Sequence, residues 1–363
     1  MSFDVFMVRL LHSSLLRFFL KVIKQISIVN SKEKGTETSI LDDVEFHNIW
    51  IKENLISFII RTKISHNPFG YFNTLKVVKR LAHYDYVIAH KTGSHFIGLQ
   101  LKKRYGIPFG AFWHGSELAI QTFSDKSAYA MTKTVLGYSD VNFFVSKALL
   151  KIGESVHEGG NNQVIYTGPS DMFRKYSAQE KKALREKFSL SESDIVISFV
   201  GSLLPVKNVM LLPSIFKSIK EKCPNKQLKF WIIGAGDQEN NLRREIARNG
   251  IVVDMKGSIP LSRMPDYMNC IDVLLLISKK EGLGLVCLEA MKCGAQVFGS
   301  LIGGIPEVIG EERCVSLDDY FVENISNKVS DSINEGYGEM SIDPLFSWET
   351  AANSIADAII SRR

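Results

Sequence analysis

At 363 residues, with 45% apolar, 23% charged and 10% aromatic side chains, the sequence is that of a soluble globular protein with room for two separate cores. Its formal charge of +5 is too mild to mark a nucleic-acid binder, and no run of about 18 uncharged apolar residues is present to span a bilayer. Five cysteines (Cys223, Cys270, Cys287, Cys293 and Cys314) lack zinc-ligand spacing and are odd in number, which fits reduced cytosolic thiols.

The opening MSFDVFMVRLLHSSLLRFFLKVIK lacks the ordered basic, apolar and small-residue segments of a signal peptide. Residues 4–24 predict one helix, apolar over a broad face, with Arg9, Arg17, Lys21 and Lys24 spread along it. Such a helix packs on a sheet with its basic side chains snorkelling to water, or lies as a basic amphipathic surface on anionic membrane. The first is the expectation, since a layered α/β fold needs a helix there. Strands are predicted at Gln25–Asn30, Asp43–Ile51, Tyr86–His90, Pro108–His114 and Val141–Ser146. Helices are predicted at Phe72–Ala82 and, after a glycine-bearing turn, Phe96–Tyr105. His114 ends its strand as either a hydrogen-bonded structural residue or a site residue.

From a boundary near Arg174 a charged helix, Ala178–Phe188, leads into a second half in which strands alternate with helices. The predicted strands are Ile195–Leu203, Leu228–Gly236, Ile251–Ile259 and Val273–Ile277, with another starting at Gln296–Gly299. That alternation predicts a doubly wound parallel sheet whose ligand lies at the carboxyl ends of the strands. Lys207, Gly236, Ser258, Glu281 and Gly282 all fall there. Val273–Ile277 is the continuous apolar run of a strand covered on both faces. Gly282 and Gly284 follow, then a predicted helix Leu285–Cys293 stopped by Gly294. A helix N-terminus suits diphosphate. Glu281 before it and Glu289 within it would hydrogen-bond hydroxyls, as for a phosphorylated polyol such as a sugar nucleotide. The competing reading is an ordinary βαβ unit with Glu289 solvated on the helix. Phe346–Ile360 reads as a closing helix.

The string EGLGLVCLEAMKCGAQVFGS, continued by GGIPE at Gly303–Glu307, resembles the E-x7-E signature of glycosyltransferase family 4. These are retaining nucleotide-sugar transferases of the GT-B fold. WHGSE, ending at Glu117, is similar to the family's HG-S/T-D/E string. Val145–Lys147 resembles its "vSk" segment, and VIYTGPSDMF its crossover, with Thr167 in place of the usual Asn. In GSLLPVKN, Lys207 keeps the family's lysine, while Ser202 stands where an arginine is usual. The family usually opens with a short strand and a Gly-Gly loop. No glycine precedes Gly35 here, so either Phe3–Val8 is a shortened first strand or the sequence opens inside the first helix, as an upstream true start would produce.

The resemblance implies two Rossmann-like, doubly wound domains facing across a cleft. Residues 1–173 would bind the acceptor, 174–345 the nucleotide sugar, and 346–363 would cross back as a helix anchored by Trp348. The implied donor site is Gly201, Ser202, Lys207, Gly236, Ser258, Ile259, Glu281, Gly282, Leu283, Gly284, Leu285, Val286 and Glu289, with backbone around Lys256–Ile259, and Met264 and Pro265, bordering the base. Glu289 would take ribose hydroxyls, Lys207 and the N–H groups of Gly284–Val286 the diphosphate, and Glu281 the sugar. Glu281, Lys207 and His114 are the implied catalytic residues, and Glu117 a candidate general base. The implied reaction is metal-independent transfer, with retention and without a cofactor, from a UDP- or GDP-linked sugar to a saccharide or lipid-linked saccharide. Bacterial surface polysaccharide synthesis, including lipopolysaccharide, is the expected setting. The expected place is the cytoplasm, with peripheral contact to the inner face of the plasma membrane if the basic first helix lies on lipid. No nucleic-acid partner is expected. Two other readings stand beside this one: a non-catalytic nucleotide-sugar binder or partner subunit, and a GT-B nucleotide-sugar epimerase.

Overall fold

A computed structural model describes residues 25–30, 38–41, 44–50, 78–79, 82, 86–336, 338 and 340–360, the first three segments as backbone only. The helix expected over residues 4–24, the alternative strand Phe3–Val8 and most of the helix expected at Phe72–Ala82 lie outside the described residues. Among those described, no helix is long and apolar enough to cross a membrane.

The chain forms two compact units. The first holds the described residues up to Phe144, together with Gly153–Ile165 and the segment from Trp348 on; the second holds Val145–Ile152 and Tyr166–Ser347. The passage from one to the other at Ile165–Tyr166 thus precedes the expected boundary near Arg174.

In the first unit, β1 (Gln25–Asn30), β2 (Thr38–Leu41) and β3 (Val44–Trp50) form a sheet of order β1-β3-β2. β1 runs parallel to β3, and β2 antiparallel to it. A separate parallel sheet comes from β4 (Val87–His90), β5 (Phe109–Trp113), β6 (Val141–Phe144) and β7 (Asn162–Val164), in that order. Its connections are α1 (Lys91–Tyr105), the short α2 (Ser116–Ala119), α3 (Lys126–Tyr138) and α4 (Lys147–Val156), whose residues up to Ile152 count with the second unit. α1 starts directly after β4, so the expected glycine-bearing turn is absent and Gly93 lies inside the helix. All five residues of β5 are buried, as a central parallel strand requires. Gly98 of α1 lets the helix settle on that strand: a Cβ there would lie 2.5 Å from the Phe109 ring. Trp113 donates its indole N–H to Asn142 Oδ1 (3.2 Å), pairing the polar edge of a large apolar ring.

The second unit is a doubly wound α/β layer. It contains α5 (Ala178–Lys187), β8 (Asp194–Val200), α6 (Leu212–Lys222), β9 (Gln227–Ile233), α7 (Glu239–Arg248), β10 (Asp254–Gly257) and α8 (Met264–Cys270). It continues with β11 (Val273–Leu276), α9 (Leu285–Lys292), β12 (Gln296–Ser300), α10 (Ile305–Ile309), β13 (Cys314–Val315) and α11 (Phe321–Glu335). α12 (Trp348–Ile360) then counts with the first unit. The six strands pair in the order β10-β9-β8-β11-β12-β13, every neighbouring pair parallel. The order reverses between β8 and β11, the place where open α/β sheets leave a crevice for ligand. Ile197, Phe199, Phe216, Phe230, Leu275, Phe321 and Val329 belong to one buried core, in which the Phe216 and Phe230 rings stack at 4.6 Å. All five cysteines are buried and unbridged.

Glu307, on the first turn of α10, reaches the start of α4 within this unit. Its carboxylate accepts the N–H groups of Lys147 and Ala148, both at 2.9 Å, and the Tyr166 hydroxyl at 2.6 Å. A helix start leaves such N–H groups orphaned, and an anion there meets the favourable end of the helix dipole. Glu307→Ala strands three donors at once and is expected to destabilise the chain by about 1–3 kcal/mol, with Glu307→Gln recovering part of the loss. Urea denaturation of the two variants measures this, and equal midpoints for wild type and Glu307→Ala would refute the cap.

Candidate active site

Five loops at the carboxyl ends of β8 to β12 are tied to one another by backbone. After β8, Gly201 N–H donates to Ile233 O (3.0 Å) and Leu203 N–H to Ala235 O (3.0 Å), joining that loop to the one after β9. Gly234 N–H donates to Gly257 O (2.8 Å), and Lys279 N–H, after β11, reaches back to Val206 O (2.8 Å). Gly304 N–H, after β12, donates to Gly282 O (3.1 Å). Glycine is required where these loops cross. A Cβ on Gly234 would overlap Gly201 O, and one on Gly303 would overlap Glu281 O; both glycines also have positive φ, +140° and +58°. Gly236 and Gly304 are equally close-packed, a Cβ on either lying 2.5 Å from the carbonyl of Leu203 or Gly282.

On this frame the expected donor residues gather. Lys207 Nζ lies 2.6 Å from Glu281 Oε2, and the Ser278 hydroxyl donates to the same oxygen at 3.1 Å. The ion pair is largely covered, with 22% and 16% of the two side chains exposed, so it is only weakly screened by solvent. Gly282, Leu283 and Gly284 are buried behind it. Gly284 adopts φ 89°, ψ 47° and caps α9, whose first internal hydrogen bond is Cys287 N–H to Gly284 O (2.8 Å). The N–H groups of Leu285 and Val286 therefore stand at a helix start that has no side-chain cap. Gly294 ends the helix in the left-handed region (φ 94°) while Ala295 N–H returns to Ala290 O (3.0 Å), as the sequence anticipates.

Glu289 lies on α9, half-buried. Loss of water around it pushes its carboxyl from 4.5 up to about 8. Ser202 is half-buried in the loop after β8, where it brings no cation beside Lys207. Ser258 and Ile259 follow β10, the first exposed and the second half-buried. Lys256 is held elsewhere: it pairs with Asp254 and sits 4.7 Å over the Trp231 ring. Pro265 is buried in the first turn of α8, and Met264 is half-buried beside it. Among the described residues no group of three or more His, Cys, Asp or Glu side chains is placed to hold a metal ion.

In the first unit His114 follows β5, and Glu117 is turned away from general-base duty. The Glu117 carboxylate is buried and accepts the backbone N–H groups of His114 and Gly115, capping its own turn. Reading the sequence for motifs missed His90, at the end of the adjacent strand β4, whose Nδ1 lies 2.9 Å from His114 Nε2. Burial first, and then the charge of Lys91, lower the His90 imidazole to about 4; burial, followed by the His90 and Lys91 charges, likewise pushes His114 well below the ordinary histidine value. Only the alignment of β4 with β5, which puts His90 beside Phe112, could have signalled the pair.

Residues 180–341 match the family described as glycosyl transferases group 1. Over this segment the chain is similar to the group 1 glycosyltransferases. The N-acetyl-alpha-D-glucosaminyl L-malate synthase of Bacillus anthracis is 26% identical over 63% of this chain and 58% of its own length. A Bacillus subtilis glycosyltransferase named for teichuronic acid biosynthesis is 23% identical over 57% of this chain and 50% of its own. The chain spans only 58%, 60% and 62% of three such curated relatives. The crystal structure of Anabaena HepE with UDP-glucose superposes with a TM-score of 0.71 at 19% identity, covering 93% of this chain and 99% of that one. The fold is GT-B, with two Rossmann-like domains, as the sequence suggests.

The unpaired acid yields a test of sign. An unfolded Glu289 ionises near 4.5 and the folded one near 8, so folding stability falls as pH rises between those values and levels off above about 8. Glu289→Gln is expected to flatten that slope, gaining on the order of a few kcal/mol over wild type at pH 9, while nucleotide-sugar binding weakens. Thermal denaturation from pH 5 to 9 measures the first effect; parallel profiles for both proteins would show that Glu289 is not the titrating group.

Proposed function

We propose that the protein is a retaining, metal-independent hexosyltransferase of the group 1 family, moving a sugar from a UDP- or GDP-linked donor to a saccharide or lipid-linked saccharide acceptor. The observation that carries this reading is the Lys207–Glu281 ion pair standing beside an uncapped helix start, with Glu289 unpaired on that helix. Lys207 and the N–H groups of Leu285 and Val286 take the diphosphate, an ammonium and a helix start being complementary to phosphate oxygens. Glu281 directs the sugar through its hydroxyls, and Glu289 receives the ribose hydroxyls. The acceptor hydroxyl attacks the anomeric carbon on the face from which the nucleotide departs, and the leaving phosphate takes its proton. Catalysis then rests on positioning and on charge placed for the leaving group, with no strong side-chain base. The neutral His90–His114 pair and the capped Glu117 are consistent with that economy of bases.

The setting we infer is surface polysaccharide synthesis at the cytoplasmic face of a bacterial membrane, supported by the relative named for teichuronic acid biosynthesis. Calorimetry with UDP, GDP and their sugar conjugates, on wild type and Glu289→Ala, tests the donor site. Selective micromolar binding that the variant loses supports it, and absence of binding by folded wild type refutes it. Incubation of the bound nucleotide sugar with saccharide acceptors separates the readings: a product with the donor's anomeric configuration, formed in EDTA, is expected. Binding without turnover would instead indicate a partner subunit, and an isomerised nucleotide sugar an epimerase.

Ser202 provides a gain-of-function check. An arginine there would add a planar, bidentate phosphate donor beside Lys207. Ser202→Arg is expected to tighten UDP binding about tenfold, equivalent to about 1.4 kcal/mol. Unchanged affinity in the same calorimetry would mean that this loop does not face the diphosphate.

A further inference from the structure

The carboxyl ends of β4 and β5 bring two imidazoles together in a way that the donor site does not use. Parallel pairing sets His90 against Phe112, and His114 follows two residues further along the same strand end. The three rings form a cluster of near-parallel rings: His90 to Phe112 at 4.9 Å, His90 to His114 at 5.2 Å and Phe112 to His114 at 4.8 Å, with interplanar angles of 20–26°. Within it His90 Nδ1 and His114 Nε2 share a hydrogen bond of 2.9 Å.

Both rings are neutral at pH 7, because burial and the nearby Lys91 charge oppose a second proton. Two neutral imidazoles carry two ring protons on four nitrogens, and one of those protons must lie in the shared bond. If His90 Nδ1 donates, His114 is protonated at Nδ1 and His90 Nε2 is bare. If His114 Nε2 donates, His90 carries its proton on Nε2 and His114 Nδ1 is bare. Either way the two outer nitrogens have opposite polarity, one donor and one acceptor. Neither has a hydrogen-bond partner among the described residues. The neighbouring His95 differs, since its Nε2 is engaged with Phe112 O at 3.0 Å.

A donor at one end of the pair and an acceptor at the other do not together suit an anion, which wants donors only, or an ammonium, which wants acceptors only. They suit hydroxyl groups, which are both. We propose that His90 and His114 act as one imidazole pair, whose free nitrogens His90 Nε2 and His114 Nδ1 receive hydroxyls of the acceptor saccharide. The proposal rests on the transferase reading above and adds His90 to it. Each ring fixes the tautomer of the other, so the pair holds the hydroxyls in one of two orientations; moving the shared proton across, with one outer nitrogen giving a proton to a bound hydroxyl and the other taking one, exchanges donor for acceptor and leaves both rings neutral. No bond to carbon or phosphorus is made or broken at the pair.

The experiment is long-range proton–nitrogen NMR of the full chain labelled with [15N]histidine, which reads the protonation of each ring nitrogen. In wild type at pH 7, His90 and His114 are expected as neutral rings of single, complementary tautomers. His90→Phe keeps a ring in the cluster and removes its nitrogens; His114 should then show a mixture of tautomers. His90→Asn, which retains a polar group near the Nδ1 position, should restore a single one. Methyl glycosides added up to ~100 mM, to detect millimolar affinity, should shift both rings in wild type and not in His90→Phe, while inorganic phosphate should shift neither. A charged ring, an unchanged His114 tautomer in His90→Phe, a response to phosphate, or no response to any glycoside would each overturn the proposal. A response to UDP-glucose without one to free glycosides would assign the hydroxyls to the donor and overturn it equally. If His90→Phe does not fold, the wild-type spectrum and the His90→Asn comparison still decide. Failure of the transferase reading is seen separately, as absent nucleotide-sugar binding in calorimetry.

Discussion

The second unit depends on backbone approaching backbone where its loops cross. Gly234 meets the carbonyl of Gly201, and Gly303 meets the carbonyl of Glu281, at separations that exclude a β-carbon. The second crossing matters most for chemistry, because it pins the main chain of the residue whose carboxylate faces Lys207. A side chain at Gly303 would push Glu281 out of register with the turn that holds Lys207, and Gly304 would lose its bond to Gly282 O. The glycines of GGIPE are therefore part of the candidate site's frame although they bring no side chain to it.

Much of this was legible in the sequence, for a physical reason. A parallel strand covered on both faces must be an apolar run, so Val273–Leu276 announces itself; a chain that turns sharply into a helix and then stops needs Gly284 and Gly294. Spacing along such a unit fixes which residues reach the carboxyl end of the sheet. Lys207 and Glu281 are 74 positions apart, yet both follow adjacent strands, β8 and β11, and they meet. Interactions that depend on side-chain direction were not legible. Glu117 looked available and is turned onto its own backbone; Glu307 looked like a motif residue and is a helix cap; His90 ended a strand without any motif. The turn expected before Phe96 is helix instead, because Gly93 is accommodated within α1.

Glu289 shows how a candidate site residue can oppose the fold that carries it. A carboxyl half-buried with no hydrogen-bond donor among the described residues is costly when ionised, and burial accordingly raises it to about 8. Nothing in the packing of α9 asks for an acid there: Leu288 and Ala290 beside it are buried and apolar. The proposed ribose contact would relieve that cost, since its hydroxyls would supply donors.

The two units hold titratable groups in opposite ways. In the second, opposite charges are left in contact, Lys207 against Glu281, so that in the proposed reaction a diphosphate would compete for a cation already in place and release the carboxylate toward the sugar. In the first, burial and Lys91 keep His90 and His114 uncharged, so no ion competes with a hydroxyl for their free nitrogens. A reaction in which a neutral hydroxyl displaces an anionic leaving group needs both conditions. It needs charge where charge departs, and neutral, oriented polarity where the nucleophile is held. Exchanging them would bind the leaving group too weakly and desolvate the nucleophile's partner at a cost in affinity, so under the proposed transfer two neutral imidazoles at His90 and His114 are chemically coherent with an ion pair at Lys207 and Glu281.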